Sequence, residues 1–151
     1  MRRLDLAMLI GLALSVMMSN IAAFGQECEL VRSNVVRLHI MANSNSETDQ
    51  KIKLQVRDRI LSDVGGVFLI PESQQDAKET AQLALPAIRE AAEKELKENG
   101  VNASVKAEVT RMYFTTRQYD DISLPAGIYD AVRVTIGNGK GKNWWCVVYP
   151  P

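Results

Sequence analysis

Residues 35–46 read Val35-Val36-Arg37-Leu38-His39-Ile40-Met41-Ala42-Asn43-Ser44-Asn45-Ser46, and the reading of this stretch decides the fold. Val36, Leu38 and Ile40 alternate with Arg37, His39 and Met41, the period of a strand with one buried face. The polar run Asn43–Ser46 then breaks the strand. Ser46-x-x-Asp49 has capping-box spacing, and the acids at 47 and 49 suit the positive end of a helix. After it the period changes from two to four. Ile52, Val56, Ile60 and Val64, joined by Leu61, predict an amphipathic helix of about four turns, closed by Gly65-Gly66.

The pattern continues outward from this strand and helix. Val67 to Pro71 is a short apolar connector, and Ser73-x-x-Asp76 repeats the helix start. Ala77, Ala81, Ala84, Leu85, Ile88, Ala92 and Leu96 form the apolar stripe of a long helix, with Glu79, Arg89, Glu90, Glu93, Lys94 and Lys97 opposite. Pro86 inside the stripe lacks an N–H and predicts a kink or a split; Asn99-Gly100 ends the helix. Val105, Ala107 and Val109 alternate with polar residues. Ile128, Val132, Val134 and Ile136 do the same, with Asp130 an exception on their apolar side. Trp144 to Tyr149 is the last strand, stopped by Pro150-Pro151. The order is β-α-α-β-β-β. It predicts an α+β fold in which a four-stranded, mainly antiparallel sheet carries two helices on one face.

In front of this domain, Arg2 and Arg3 precede Ala7–Met18, which carries no charge, and Ala23-Phe24-Gly25 has small residues at a cleavage spacing. The segment 1–25 reads as a secretory signal peptide cut near Gly25, or as an uncleaved membrane anchor extended through Ile21 and Ala22. Either reading exports residues 26–151 as a single domain. Glu27 before Cys28 does not fit a lipidation site. Export makes a Cys28–Cys146 disulfide an option.

Eighteen basic and eighteen acidic residues cancel, so no global positive field exists to hold nucleic acid. One histidine and two cysteines leave little for a metal site, and no cofactor is implied. Gly137-x-Gly139-Lys140-Gly141-Lys142 is followed by a strand rather than a helix and lacks Lys-Ser/Thr, so a hairpin turn fits better than a phosphate loop. His39 and Cys146 would be the base and nucleophile of a secreted hydrolase, although no third group orients them. Trp144 and Trp145 face opposite sides. One enters the core, and the other joins Val147 and Tyr149 either on a sheet face open for docking or beneath a cover formed by the amino-terminal segment or the loop at 115–127.

Several strings in the chain resemble one family. Arg37-Leu38-His39-Ile40-x-Ala42-Asn43-Ser44-x-Ser46, then Asp49-Gln50 and Lys53-Leu54-x-Val56-Arg57-Asp58, resemble the amino-terminal signature of stage II sporulation protein R. Leu124-Pro125-Ala126-Gly127-x-Tyr129-x-Ala131-x-Arg133-Val134-x-Ile136-Gly137 and Gly139-Lys140-Gly141-Lys142-Asn143-Trp144-Trp145-Cys146-Val147 do so too. Thr115 stands where the family often has proline, and relatives commonly continue past Pro150-Pro151 with Leu-Cys and a tail. The resemblance implies an exported signalling protein of endospore-forming bacteria. Made in the forespore, it acts between the forespore and mother-cell membranes. There it activates a membrane-embedded aspartic protease that processes the precursor of the mother-cell sigma-E factor. It implies no catalytic residues. On this reading the expected receptor contact is the open sheet face and its rim, Arg37, His39, Arg133, Lys140, Lys142 and Trp145, on a monomer. A hydrolase and a generic cell-envelope binding module are the competing readings.

Overall fold

Strand β1 (Val36–Met41) lies inside the sheet, with a neighbour on each side. The computed structural model describes residues 3–119 and 122–150. Arg2 of the basic start, Asp120 and Asp121 of the 115–127 loop, and Pro151 lie outside the described residues. Helix α1 (Arg3–Ser33) leads into β1. Helix α2 (Glu47–Val64), a 3-10 turn (Gly65–Leu69) and helix α3 (Gln74–Glu98) follow, then β2 (Val105–Phe114), β3 (Arg117–Tyr119), β4 (Ile122–Leu124), β5 (Gly127–Ile136) and β6 (Asn143–Tyr149).

Both expected helix starts form. The Ser46 hydroxyl accepts from the Asp49 N–H and the Ser73 hydroxyl from the Asp76 N–H, each at 3.1 Å, caps worth about 1 kcal/mol apiece. Gly100, at φ +68°, ends α3. Pro86 does not split that helix. Pro86 and Gln82, whose carbonyl it leaves without a donor, are both exposed, where the loss of one helix hydrogen bond costs least. The apolar face of α3 is rich in small residues: Ala77, Ala81, Ala84, Ala91 and Ala92 are buried against the sheet, with Ile88 and Leu96 between them.

The sheet is mixed, with two of its three strand pairs antiparallel, in the order β2-β5-β1-β6. β1 runs parallel to β5 and antiparallel to β6, and β2 runs antiparallel to β5. The strands after the helices were expected to pair in sequence; β2 and β5 do so, but β5 and β6 flank β1. The glycine-rich turn is therefore not a hairpin turn; it passes across the end of β1. A third helix, α1, and a separate two-stranded sheet, β3-β4, are also present.

Being internal, β1 is buried on both faces. Val36, Leu38 and Ile40 meet the core beneath α2 and α3. Arg37 and His39 point to the opposite face, where Val35, Phe114, Leu124, Tyr129 and Ala131 form a second cluster with Val31, Tyr119, Trp145 and Val147 packed against it. Of the two readings of this face, the open docking surface is not found and the cover is: the end of α1 and the β3-β4 hairpin, within the loop at 115–127, lie over it. Tyr149 departs from its predicted side. The β1-β6 register pairs Arg37 with Val147 and Val36 with Tyr149, leaving Val148 as the extra residue of a bulge, and Tyr149 joins the Val36 side.

Helix α1 has no buried residue. Its 31 residues extend about 46 Å at 1.5 Å per residue, and it is long and apolar enough to cross a membrane. It is compatible with a signal sequence and runs unbroken through Gly25. Only its end touches the domain: Val31 joins the second cluster, and Arg32 donates from Nη1 to the Ala126 carbonyl at 3.2 Å.

Candidate functional site

Lys140 and Lys142 lie on a loop locked to the exit of β1. The Gly141 N–H donates to the Ala42 carbonyl at 2.9 Å and the Lys140 N–H to the Asn43 carbonyl at 3.2 Å. The Asn43 side chain accepts from the Asn138 N–H (3.0 Å) and donates to Asp49 (3.0 Å), while Asn45 accepts from the Lys142 N–H (2.7 Å). Asp49 also receives the Ser44 hydroxyl at 2.5 Å. The hydrogen bonds from Ser44 and Asn43 hold its carboxyl below the usual range. A Cβ on Gly141 would sit 2.1 Å from the Ser44 carbonyl oxygen, so this close approach requires glycine. Beneath the loop lies Lys53, 5% exposed. It donates to the carbonyls of Lys142 (3.1 Å) and Asn143 (3.4 Å) and to Gln50 (2.7 Å). The polar strings around 43–53 and 137–143 thus form one lock, which leaves Lys140 and Lys142 exposed at its rim.

The second sheet face gathers the other expected contact residues, but not as an open surface. Arg37 is 0% exposed and His39 is 3% exposed; both are withdrawn from direct contact because the hairpin and Phe114 cover them. The Arg37 guanidinium carbon lies 4.2 Å from the Phe114 ring centre, 4.5 Å from Trp145 and 5.1 Å from Tyr129. Nη2 donates to the Tyr119 hydroxyl at 2.9 Å, while Nε and Nη1 have no acceptor. The aromatic cage offsets part of the desolvation, and burial still pushes this guanidinium below its ordinary pKa. His39 Nε2 lies 2.9 Å from the Asn143 side-chain amide nitrogen, and Nδ1 is buried without a hydrogen-bond partner. Burial, with Arg133 and Arg37 nearby, pushes the imidazole down to about 4.

Arg133 is half-buried and pairs with Glu108 through Nε at 2.9 Å. Its hydrogen bond, followed by that of Lys106, holds the Glu108 carboxyl low. Trp145 is half-buried between Arg37 and Arg117, whose guanidinium carbon is 4.5 Å from the ring centre. Four of the six expected contacts, Arg133, Lys140, Lys142 and Trp145, therefore reach the surface. Asp130 is also accounted for: it accepts from Gln74 at 2.7 Å and pairs with Lys78 at 3.1 Å, tying the start of α3 to β5.

The Cys-His arrangement does not form. His39 is opposite Trp145 in the β1-β6 register and Cys146 opposite Leu38; His39 meets Phe114 on the second face, while Cys146 packs against the first core. Burial pushes the Cys146 thiol up to about 11, away from the thiolate a nucleophile needs. Cys28 and Cys146 are both free, so the Cys28–Cys146 disulfide is not formed. Among the described residues, no three His, Cys, Asp or Glu side chains are grouped to hold a metal.

Comparison with known proteins places these features in context. Residues 32–151 match the family model described as stage II sporulation protein R. A curated relative, stage II sporulation protein R of Bacillus subtilis (strain 168), is 34% identical over 122 residues, covering 81% of this chain and 54% of the relative. The chain thus spans about half the length of that relative. No solved structure matches.

Proposed function

This chain belongs to the stage II sporulation protein R family, whose role is in sporulation, and from that premise we propose that it is an exported signal recognised by a membrane-embedded aspartic protease. The protease, once activated in the space between the forespore and mother-cell membranes, processes the precursor of the mother-cell sigma-E factor. The observation that carries this reading is the division of the chain: a long, largely apolar helix α1 with no buried residue precedes a folded body that it meets near its end. That is the layout of a small domain delivered across or onto a membrane. The ionisable groups of the body support recognition rather than bond-making. His39, Lys53, Asp49 and Glu108 are engaged within the fold, and Lys140 and Lys142 project from a rigid rim.

The mechanism is a population shift. A ligand that binds one receptor state more tightly raises the fraction of receptor in that state by its differential affinity. A rigid rim serves this well, because less conformational entropy is lost on binding.

The test is reconstitution of the purified full chain with membranes containing the protease, reading cleavage of the sigma-factor precursor. Cleavage that depends on the chain and requires the protease supports the reading. Cleavage unaffected by the chain, or produced by the chain without the protease, rejects it.

A further inference from the structure

Arg37 carries a buried charge whose hydrogen bonding the fold leaves incomplete. Its nitrogens Nε and Nη1 are enclosed without acceptors, and among the described residues its side-chain hydrogen bond goes to the neutral Tyr119 hydroxyl. Buried donors left unsatisfied cost free energy. The unsatisfied fork points to an acceptor supplied from outside.

The path to it is a groove of about 590 Å³ lined by Val31, Tyr119, Leu124, Cys146, Val147 and Pro150. Tyr119 is the residue that holds Arg37, and Val147 is its register partner on β6. The guanidinium therefore lies behind this wall of the groove. Two features make the wall movable and sticky. Among the described residues the strands of the β3-β4 hairpin that carries Tyr119 pair with each other and not with the main sheet, so Tyr119 can withdraw without breaking a ladder bond of that sheet. β6 is an edge strand, whose outer backbone groups can pair with an added strand. Arg117, whose guanidinium carbon is also 4.5 Å from the Trp145 ring centre, adds a second cation.

We propose that this groove receives an extended apolar segment of a protein partner bearing one carboxylate, which lies along β6 and displaces the Tyr119 hydroxyl to pair with Arg37. Withdrawal of Tyr119 frees Nη2, and Nη2 with Nε presents the two-pronged edge that a carboxylate fits. A purely apolar segment would leave the charge as unsatisfied as before. The proposal rests on the signalling reading for the nature of the partner, a protein, and names the chemistry of the contact.

The test uses the full chain in phospholipid nanodiscs, with the Arg37 Nε–H followed by NMR and the tryptophans by fluorescence. The probes are the peptide acetyl-Val-Leu-Glu-Val-Leu-amide and its twin with Gln in place of Glu. The expected result is a shift of the Arg37 Nε–H by the acidic peptide and a preference over the twin of about tenfold or more. Arg37→Met is expected to fold and to lose that preference. Should Arg37→Met fail to fold, Arg37→Lys keeps a charge without the fork and is expected to reduce the preference. Equal binding of the two peptides, binding of neither, or an undiminished preference in the folded variant would overturn the assignment. These outcomes are separate from the cleavage assay, which can succeed while the groove assignment fails.

Discussion

The Lys53 ammonium donates to the Lys142 carbonyl across 3.1 Å, joining α2 to the loop before β6 over 89 residues of sequence. The same ammonium bonds the Asn143 carbonyl and Gln50. Burial, then the nearby Lys142 and Arg57 charges, lower its pKa, but three acceptors surround it. Replacing Lys53 with methionine fills the space and leaves those acceptors without their donor. The expected loss is about 1–3 kcal/mol, read as a lower urea midpoint. Lys51→Met, at an exposed position on the same helix, should change stability by less than about 0.5 kcal/mol.

Glycine at 141 is required by contact rather than by dihedral angle. Its missing Cβ leaves room for the Ser44 carbonyl, a backbone group that cannot swing aside. Gly141→Ala should destabilise by about 1–3 kcal/mol and speed hydrogen exchange at the Lys140 and Gly141 amides. Gly65→Ala is the matched contrast. Gly65 sits at φ −54°, and a methyl group there would meet nothing within 4 Å, so alanine should stabilise by about 0.4–1 kcal/mol through the unfolded chain.

His39 makes stability depend on pH in a defined window. Its folded pKa is about 4 against 6.5 unperturbed, so between these values the unfolded chain binds more protons. Stability is then fully present above pH 6.5 and is lost as pH falls toward 4, by up to about 3 kcal/mol. Urea midpoints measured from about pH 7 to about pH 4.5 should fall in the native chain and stay flatter in His39→Asn. Parallel slopes in the two proteins would remove His39 as the cause.

Much of the fold was legible because local rules decided it. Ser46 and Ser73 announced helix starts through the hydroxyl each offers to a backbone N–H, and the four-residue spacing from Ile52 to Val64 gave α2 its buried side. The sheet order was not legible. Alternation in β5 and β6 shows that each is a strand but not that β1 lies between them, since pairing between distant parts of the chain leaves no local trace. A cover over the second face, by the amino-terminal segment or the loop at 115–127, was one of two readings the tryptophan pair left open, but the burial of Arg37 and His39 beneath it was not legible. Arg37 and His39 look like surface residues until Phe114, Tyr119 and Trp145 are brought over them from three separate elements. Only the pair of tryptophans hinted at this, by requiring an apolar partner on each face.

The rim lysines supply the sharpest test of recognition, because their backbones and side chains do different work. The Lys142 N–H bonds Asn45, its carbonyl accepts from Lys53, and the Lys140 N–H bonds Asn43; none of these bonds uses a side chain of Lys140 or Lys142. Reversing both charges therefore keeps the lock. It also removes a repulsion, since the Lys142 charge is one of the causes that lower the Lys53 pKa. Lys140→Glu with Lys142→Glu should melt no lower than the native chain. In the reconstituted cleavage assay it should need about tenfold more protein for the same response, because charges at an interface rim set encounter and orientation. Lys94→Glu with Lys97→Glu changes net charge equally on the exposed side of α3 and should leave the response near native. Equal losses in the two double variants would trace the effect to bulk charge, and an unchanged response from the 140/142 pair would take the rim out of the receptor contact.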